Sequence, residues 1–575
     1  MPIPPHASRL VVLAAIAVLL LGVAPAAAGG GGVRTSQAAM LAPVGNADIA
    51  ITPLITVGEP AGDDGYRYEA IPDGISLRLK GAGVAEVFIN HETARAPFPY
   101  NPTTPTDANS QNDFDNAQLS RLLINQKSGG VQTGKLVITS DQNYQRFCSN
   151  FLATAAQGFE RELLFTNEET PDWTNRTGNA WPTTVGAPTA RGAGIVVALD
   201  VMTGKTRQIL GLGRLNHENS VAIPGFSQRV LMTGDDTFTN NPSQSQLYQY
   251  VASSADAVWN DEGTLRAFVS DDPLRQKYED FAPGDATAVS GHFIDVPKLI
   301  ATGRKADGSD LMAADVPAEL GGPYPTPEAA NFAWQRDSVT GIKIDGPQWV
   351  LEKWSQLHHV FGFVRIEDIA YDKRPGMSNV VYVVDSGRGT AGTPGPGVST
   401  NGRIWKMTLH PGDPSRVDAM SILIEGDDSP VKTVTEIHQP DNIESTVNGL
   451  YLQEDPGGSQ QFPATSTDPA ATSARIWQYP FATGVASPIL KVDQGADGGS
   501  TDVDGLPNGN LGAWESTGIV DASAAFGPGA FLVNVQAHTL WVEKAPGADN
   551  FAPLGPDFTD KREGGQLLLI RIAGG

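Results

Sequence analysis

Carboxylates recur in this sequence where apolar runs begin or end. Asn90-His91-Glu92 closes one run, Asn167-Glu168-Glu169 another and Gly234-Asp235-Asp236 a third. Asn216-His217-Glu218-Asn219, Arg365-Ile366-Glu367-Asp368, Asp441-Asn442 and Trp514-Glu515 open others, and Glu454-Asp455 ends the run that Asp441 begins. Carboxylates gathered at one place repel each other unless cations neutralise them. An oxygen-rich ligand set of that kind suits calcium or another hard cation. Taken singly, such a pair reads as a solvated turn or a helix cap. The repetition of the pattern is what argues for a shared site.

Two further residues sharpen the chemistry. Cys148 is the one cysteine of the chain, so no intrachain disulfide can form. It is either a buried thiol acting as a small hydrophobe or a thiolate ligand. As a ligand among carboxylates, its soft sulfur favours a transition metal such as iron over calcium alone. Arg365 offers a planar fork for an anion such as phosphate. Its alternative role is an ion pair with Glu367 or Asp368.

These residues sit on short β-rich runs: Val84–His91, Lys135–Ser140, Glu162–Glu168, Gly194–Asp200, Arg229–Asp235, Val380–Ser386, Gly449–Asp455 and Ala530–His538. Several continue through a tight turn into a second strand, as in IVVALDVMTGKTRQIL and ARIWQYPFATGVASPIL. Units recurring every roughly 45–90 residues point to propeller blades carrying loop insertions. The expected fold is all-β, a β-propeller of about six blades over residues 51–575, which would bring the strand ends to a central channel. Residues 95–130, rich in Pro, Asn, Thr and Gln, read as a long surface loop. Residues 254–360 read as a partly helical insertion, with helix-like spacing at Pro327–Trp334 and Pro347–His359.

Composition agrees. The 575 residues include 63 Gly and 42 Pro, which favours many turns over long helices. Charged residues at 18% and hydrophobic residues at 40% exclude a disordered chain, a coiled coil and a multi-span membrane protein. Lys+Arg of 40 against Asp+Glu of 64 gives −24, which leaves no basic surplus for a nucleic-acid backbone. Residues 1–28 read as a secretory signal: Arg9, an apolar stretch from Leu10 to Ala24, and small residues Ala26-Ala27-Ala28 at the cleavage site. Residues 29–50 read as a flexible Gly/Ala-rich leader. The mature chain is expected outside the cytoplasm, as a monomer without a membrane span.

The ordered motifs resemble those of the PhoX-type alkaline phosphatases, secreted bacterial metal-dependent β-propeller enzymes. The matching segments are INHE (Ile89–Glu92), RFCSNFLATAAQGFERELLFTNEET around Cys148 and Glu169, GRLNHEN (Gly213–Asn219), MTGDD (Met232–Asp236) with LYQYV after it, RIED (Arg365–Asp368) and PDNIESTVNGLYLQED (Pro440–Asp455). The chain departs from the family pattern at Gln157-Gly158-Phe159, at Leu215, and in lacking a twin-arginine signal. The resemblance implies hydrolysis of small phosphate monoesters by a cysteine-bound iron pair with calcium ions. It implies Cys148, Glu169, Glu218, Asp236 and Glu367 as metal ligands, with Glu92, Asp441 and Asp455 as further ligands. Arg365 would bind phosphate, and Arg365 and Glu367 would be catalytic, with a metal-held hydroxide or oxide attacking phosphorus. The alternatives are a calcium-dependent propeller hydrolase of another ester class (a phytase, phosphodiesterase or lactonase), or a non-enzymatic secreted propeller that binds calcium.

Overall fold

A computed structural model describes residues 31–573 apart from 46, 63–64, 95–111, 171–172, 176–189, 238–242, 326–345, 388–400, 428–432, 458–460, 464, 497–509, 546–547 and 550–559. The expected signal segment and the Pro327–Trp334 helix lie outside the described residues.

Six antiparallel meanders follow one another along the chain. The innermost strands are Pro72–Gly81, Phe147–Ala153, His217–Ile223, Ile366–Tyr371, Pro440–Ser445 and Glu515–Asp521. Each touches the next, and the last touches the first, so they close a ring around a channel. The expectation of an all-β propeller of about six blades is met.

One apolar cluster fills each gap between neighbouring blades, six clusters for six gaps. This explains the sequence texture. A blade is covered on both faces, so Val380–Asp385 (VVYVVD) and Val196–Asp200 (VVALD) are buried at every position instead of alternating. Ring closure uses sequence-distant partners. Ile49–Thr56 pairs antiparallel with Asp560–Ile572 and supplies the outermost strand of the sixth blade. Leu41–Pro43, inside the expected leader, adds a fifth strand to the fifth blade through Ser487–Val492.

Two sequence expectations are corrected. Gln118–Asn125 falls in the expected 95–130 loop but forms the third strand of the first blade, paired with Val84–His91. Its residues LSRLLI alternate well enough for a strand, and the Pro- and Asn-rich flank masks this. The 254–360 region is not a clean insertion either. Thr264–Ser270 is the outermost strand of the third blade. Val289–Asp295 pairs with it and with Asp413–Glu425, fusing the third and fourth blades into one nine-stranded sheet. The helical part is Ala255–Trp259, Lys298–Thr302 and Pro347–Leu357. The last begins with Pro347 at its first turn and buries Trp349, Val350, Leu351 and Trp354 against the second and third blades. No described helix is long and apolar enough to cross a membrane.

Candidate metal centre

A repeated backbone irregularity aims the site. In each of the first five blades the innermost strand carries one extra residue against its neighbour. Pro72 pairs with His91 but Ile75 with Ile89; Phe147 with Glu168 but Asn150 with Thr166; His217 with Asp235 but Ser220 with Thr233. Ile366 and Pro440 begin the same offset against Asp385 and Glu454. A β-bulge of this kind bends the strand and re-aims a side chain. The residues it re-aims are Asp73, Cys148, Glu218, Glu367 and Asp441. In the sixth blade the irregularity lies between Thr517 and Ile519, and Glu515 reaches the same region.

The paired acids divide their work by strand alternation. The first of each pair turns into its own blade and accepts backbone N–H groups. Glu168 accepts from Gln145 and Ile195, Asp385 from Val364, and Glu454 from His438 and Arg475. The next residue, Glu169, Asp236 or Asp455, turns to the channel, as Glu92 does after His91. In the fourth blade this position is Ser386, whose Oγ donates to Glu367 Oε1 at 2.9 Å.

The outcome is one continuous set of ligand atoms. Five triads have all their ligand atoms within 4.8 Å of one another: Asp73–Glu92–Cys148, Cys148–Glu169–Glu218, Glu169–Asp236–Glu367, Glu218–Glu367–Asp441 and Asp441–Asp455–Glu515. All eight ligand residues expected from sequence are brought together. Asp73 and Glu515 join them. Asp73 was not singled out by sequence, because Ile71-Pro72-Asp73-Gly74 reads as a turn. Glu515 was recognised only as a strand-start acid.

Charge balance within the cluster is poor. Among the described residues, nine carboxylates and one thiol face Arg365 and, at the rim, His538. Burial, and then the charge of Glu92, raise the Asp73 carboxyl to about 8. Burial and neighbouring carboxylates likewise push Glu169, Glu218, Asp441 and Glu515 well above the usual range. Glu367 and Asp236 are raised too, burial outweighing the opposing pull of Arg365. Cys148 Sγ lies 3.2 Å from both Asp73 Oδ2 and Glu218 Oε1, and burial followed by these acids drives its thiol up. Glu218 Oε2 and Asp441 Oδ1 are buried without a hydrogen-bond partner. Orphaned buried carboxylate oxygens are costly and rare in folded proteins. Their presence here fits a donor set built for cations.

Arg365 takes an intermediate role. Its Nε and Nη2 donate to Asp236 at 2.9 and 3.1 Å, and Nη2 lies 2.7 Å from Glu367 Oε1. It pairs with Glu367 as one sequence reading held, and not with Asp368. Its φ of 64° is left-handed, a conformation shared by Ile71, Arg146 and Gln439 at the residue just before the innermost strand of their own blades. Asp368 instead ties blades together, accepting from Asn219 Nδ2 at 2.6 Å and from Ile443 N at 3.0 Å.

The motif histidines are structural. His91 lies between Ala70 O and Ser120 Oγ, and His217 between Thr233 Oγ1 and Gly213 O; burial lowers each to about 3, so both stay neutral. His538 differs: its ring nitrogens lie 2.9 Å from Glu515 and 3.0 Å from Glu563, which fixes the orientation of Glu515. Gln536 braces the other end, donating to Asp73 at 2.8 Å and Glu92 at 3.0 Å. Neither stands in a recognisable motif, so only the fold reveals them.

Comparison with known proteins adds little. No family model and no curated protein matches the chain. Solved structures that align include an α-L-arabinofuranosidase from Fusarium graminearum (9% identity, 77% of this chain and 98% of that one, TM-score 0.29). Others are an exo-inulinase from Aspergillus awamori (10% identity, 91% and 98% coverage, TM-score 0.21) and a β-fructofuranosidase from Bombyx mori (9% identity, 90% and 92% coverage, TM-score 0.20). Likeness at this level carries no argument about the activity of this chain.

Proposed function

We propose that this chain is a secreted, metal-dependent hydrolase of small phosphate monoesters, of the PhoX-like type that its motifs resemble. The observation that carries the reading is the place of Cys148: the thiol belongs to two carboxylate triads at once, beside the unpartnered Oε2 of Glu218. Cys148, Glu169, Glu218, Asp236 and Glu367 would hold iron, and Asp73, Glu92, Asp441, Asp455 and Glu515 would hold calcium. The bound ions would supply Lewis acidity, neutralising charge on the phosphoryl oxygens and making water a stronger acid.

The remaining work falls to the protein. The bulges fix the carboxylates before any ligand arrives, so little reorganisation is needed on binding. Arg365 is the arginine that the described structure places against the cluster, and its planar fork suits a phosphoryl group. Its left-handed backbone and the Ser386 N–H bond to its carbonyl at 2.9 Å hold it in place. Ser386 orients Glu367, and His538 orients Glu515. A calcium-only hydrolase of another ester, or a calcium-stabilised binding propeller, would have no use for a thiol at the shared corner of two triads.

The test is hydrolysis of p-nitrophenyl phosphate by purified protein with and without a chelator. Chelator-sensitive turnover that falls in Arg365→Ala supports the reading. Protein that carries calcium without iron and is inactive overturns it.

A further inference from the structure

The first blade meets the second in two different ways. Near the channel its side chains are apolar, with Phe88, Leu119 and Ile138 packed on Phe147, Leu164 and Val197. At the end remote from the carboxylate cluster the two blades part, leaving a cavity of about 390 Å³. Its charged lining is Arg78, Lys80, Arg121 and Lys135 around Glu86.

Four cations lining one cavity is unexpected in a chain of net charge −24. Sheet register places them together. Arg78 stands opposite Glu86, Phe88 opposite Arg121, and Arg121 opposite Lys135, and register partners share a face. Like charges directly opposite each other are destabilising unless something neutralises them. Glu86 is the buried neutraliser, and it is already shared: Arg78 at 2.5 Å, Lys80 at 3.2 Å and Arg121 all pair with it. Glu162 takes the other side of Arg78 at 2.5 Å. Four cations against two carboxylates leave a surplus of two positive charges. Phe88, Val137, Leu199 and Val201 form an apolar wall beside them, and the turn Met202-Thr203-Gly204 of the second blade closes one side.

The geometry points to a second ligand site here, between the first two blades, for a doubly charged oxyanion carried on a small apolar body, such as an organic phosphate or phosphonate. A phosphate group carries about −1.5 to −2 at pH 7, matching the surplus, and the ammonium groups of Lys80 and Lys135 are strong donors to its oxygens. The volume lies within the usual range for small-molecule sites. This site is independent of the metal centre and of the phosphatase reading.

Full-length protein titrated calorimetrically with phenylphosphonate and with inorganic phosphate, at fixed ionic strength, tests it. Wild-type protein is expected to bind one equivalent more than Lys80→Gln/Lys135→Gln, or to bind it at least about 10-fold more tightly. Lys80→Arg/Lys135→Arg is expected to keep that binding. Tighter binding of phenylphosphonate than of phosphate supports a ligand with an apolar body against the Phe88, Val137, Leu199 and Val201 wall; equal or tighter binding of phosphate overturns that assignment. Matching isotherms for wild type and the glutamine variant overturn it, and so does loss of binding in the arginine variant, because the ligand would then not be reading charge.

Discussion

The two ends of the first blade handle acid in opposite ways. Asp73, at the channel end, is buried among other carboxylates and is held protonated up to about 8. Glu86, at the far end, is just as inaccessible at 1% exposure. There burial also pushes its carboxyl up, but Arg78 and Arg121 outweigh it and hold it below its ordinary value. The same strand pair therefore carries one acid that lacks positive partners and one that has three. A fold that can pair Glu86 so thoroughly has the means to pair Asp73. The channel carboxylates are left facing each other, and the proposed metal centre is the reading that would supply their missing positive partners.

The largest effect should follow from removing a shared ligand. Glu218→Gln takes a carboxylate from two triads. Metal affinity should fall by more than the roughly 10–100-fold that loss of a supporting hydrogen bond costs a metal site, and turnover should fall with it. Elemental analysis beside an activity assay reads both. Unchanged metal content would place the ions elsewhere.

Stripping the ions should expose the carboxylates as a pH-dependent cost. The folded chain then keeps protons on Asp73 and its neighbours that the unfolded chain releases above about 4. Unfolding thus releases protons. The stability present at acid pH is lost as pH rises through the folded value, by up to about 1.4 kcal/mol per pH unit for each retained proton. Urea denaturation of chelated protein between about pH 4 and 8 should show this slope, and calcium should flatten it. A flat profile without calcium would break the contrast with Glu86.

At the other end, Glu86→Gln should destabilise by about 1–3 kcal/mol, since it leaves Arg78, Lys80 and Arg121 without their shared carboxylate. Their partial exposure keeps the effect from being larger. The activity on p-nitrophenyl phosphate should not change. The smallest effect belongs to Lys135→Gln. Relief of the like-charge pair with Arg121 should stabilise by about 0.2–1 kcal/mol in phosphate-free buffer. A destabilisation would show that Lys135 is paired and the surplus is smaller than counted.

Much of the site is legible in the sequence, because blades repeat and strand ends repeat with them. Glu92, Glu169, Asp236 and Asp455 follow apolar runs whose ends are plain, and all four reach the cluster. What sequence does not show is a bulge. Asp73 lies one residue into a strand that begins with proline, and nothing local separates it from a turn acid. Nor does it show which acid of a pair faces the channel: Glu168 and Glu169 look alike until alternation against the neighbouring strand assigns one to the backbone and one to the cluster. The fold is legible at the level of repeats and less so at edges. Val289–Asp295 joins two blades by pairing with a strand about 120 residues later, a contact no local pattern encodes.

The most direct test of the central claim is the metal content of natively isolated protein, measured by plasma mass spectrometry on wild type and Cys148→Ala. The expected result is iron with calcium in the wild type and calcium without iron in the variant. Wild-type protein that carries no iron, or a folded Cys148→Ala variant that keeps its iron, would contradict the account.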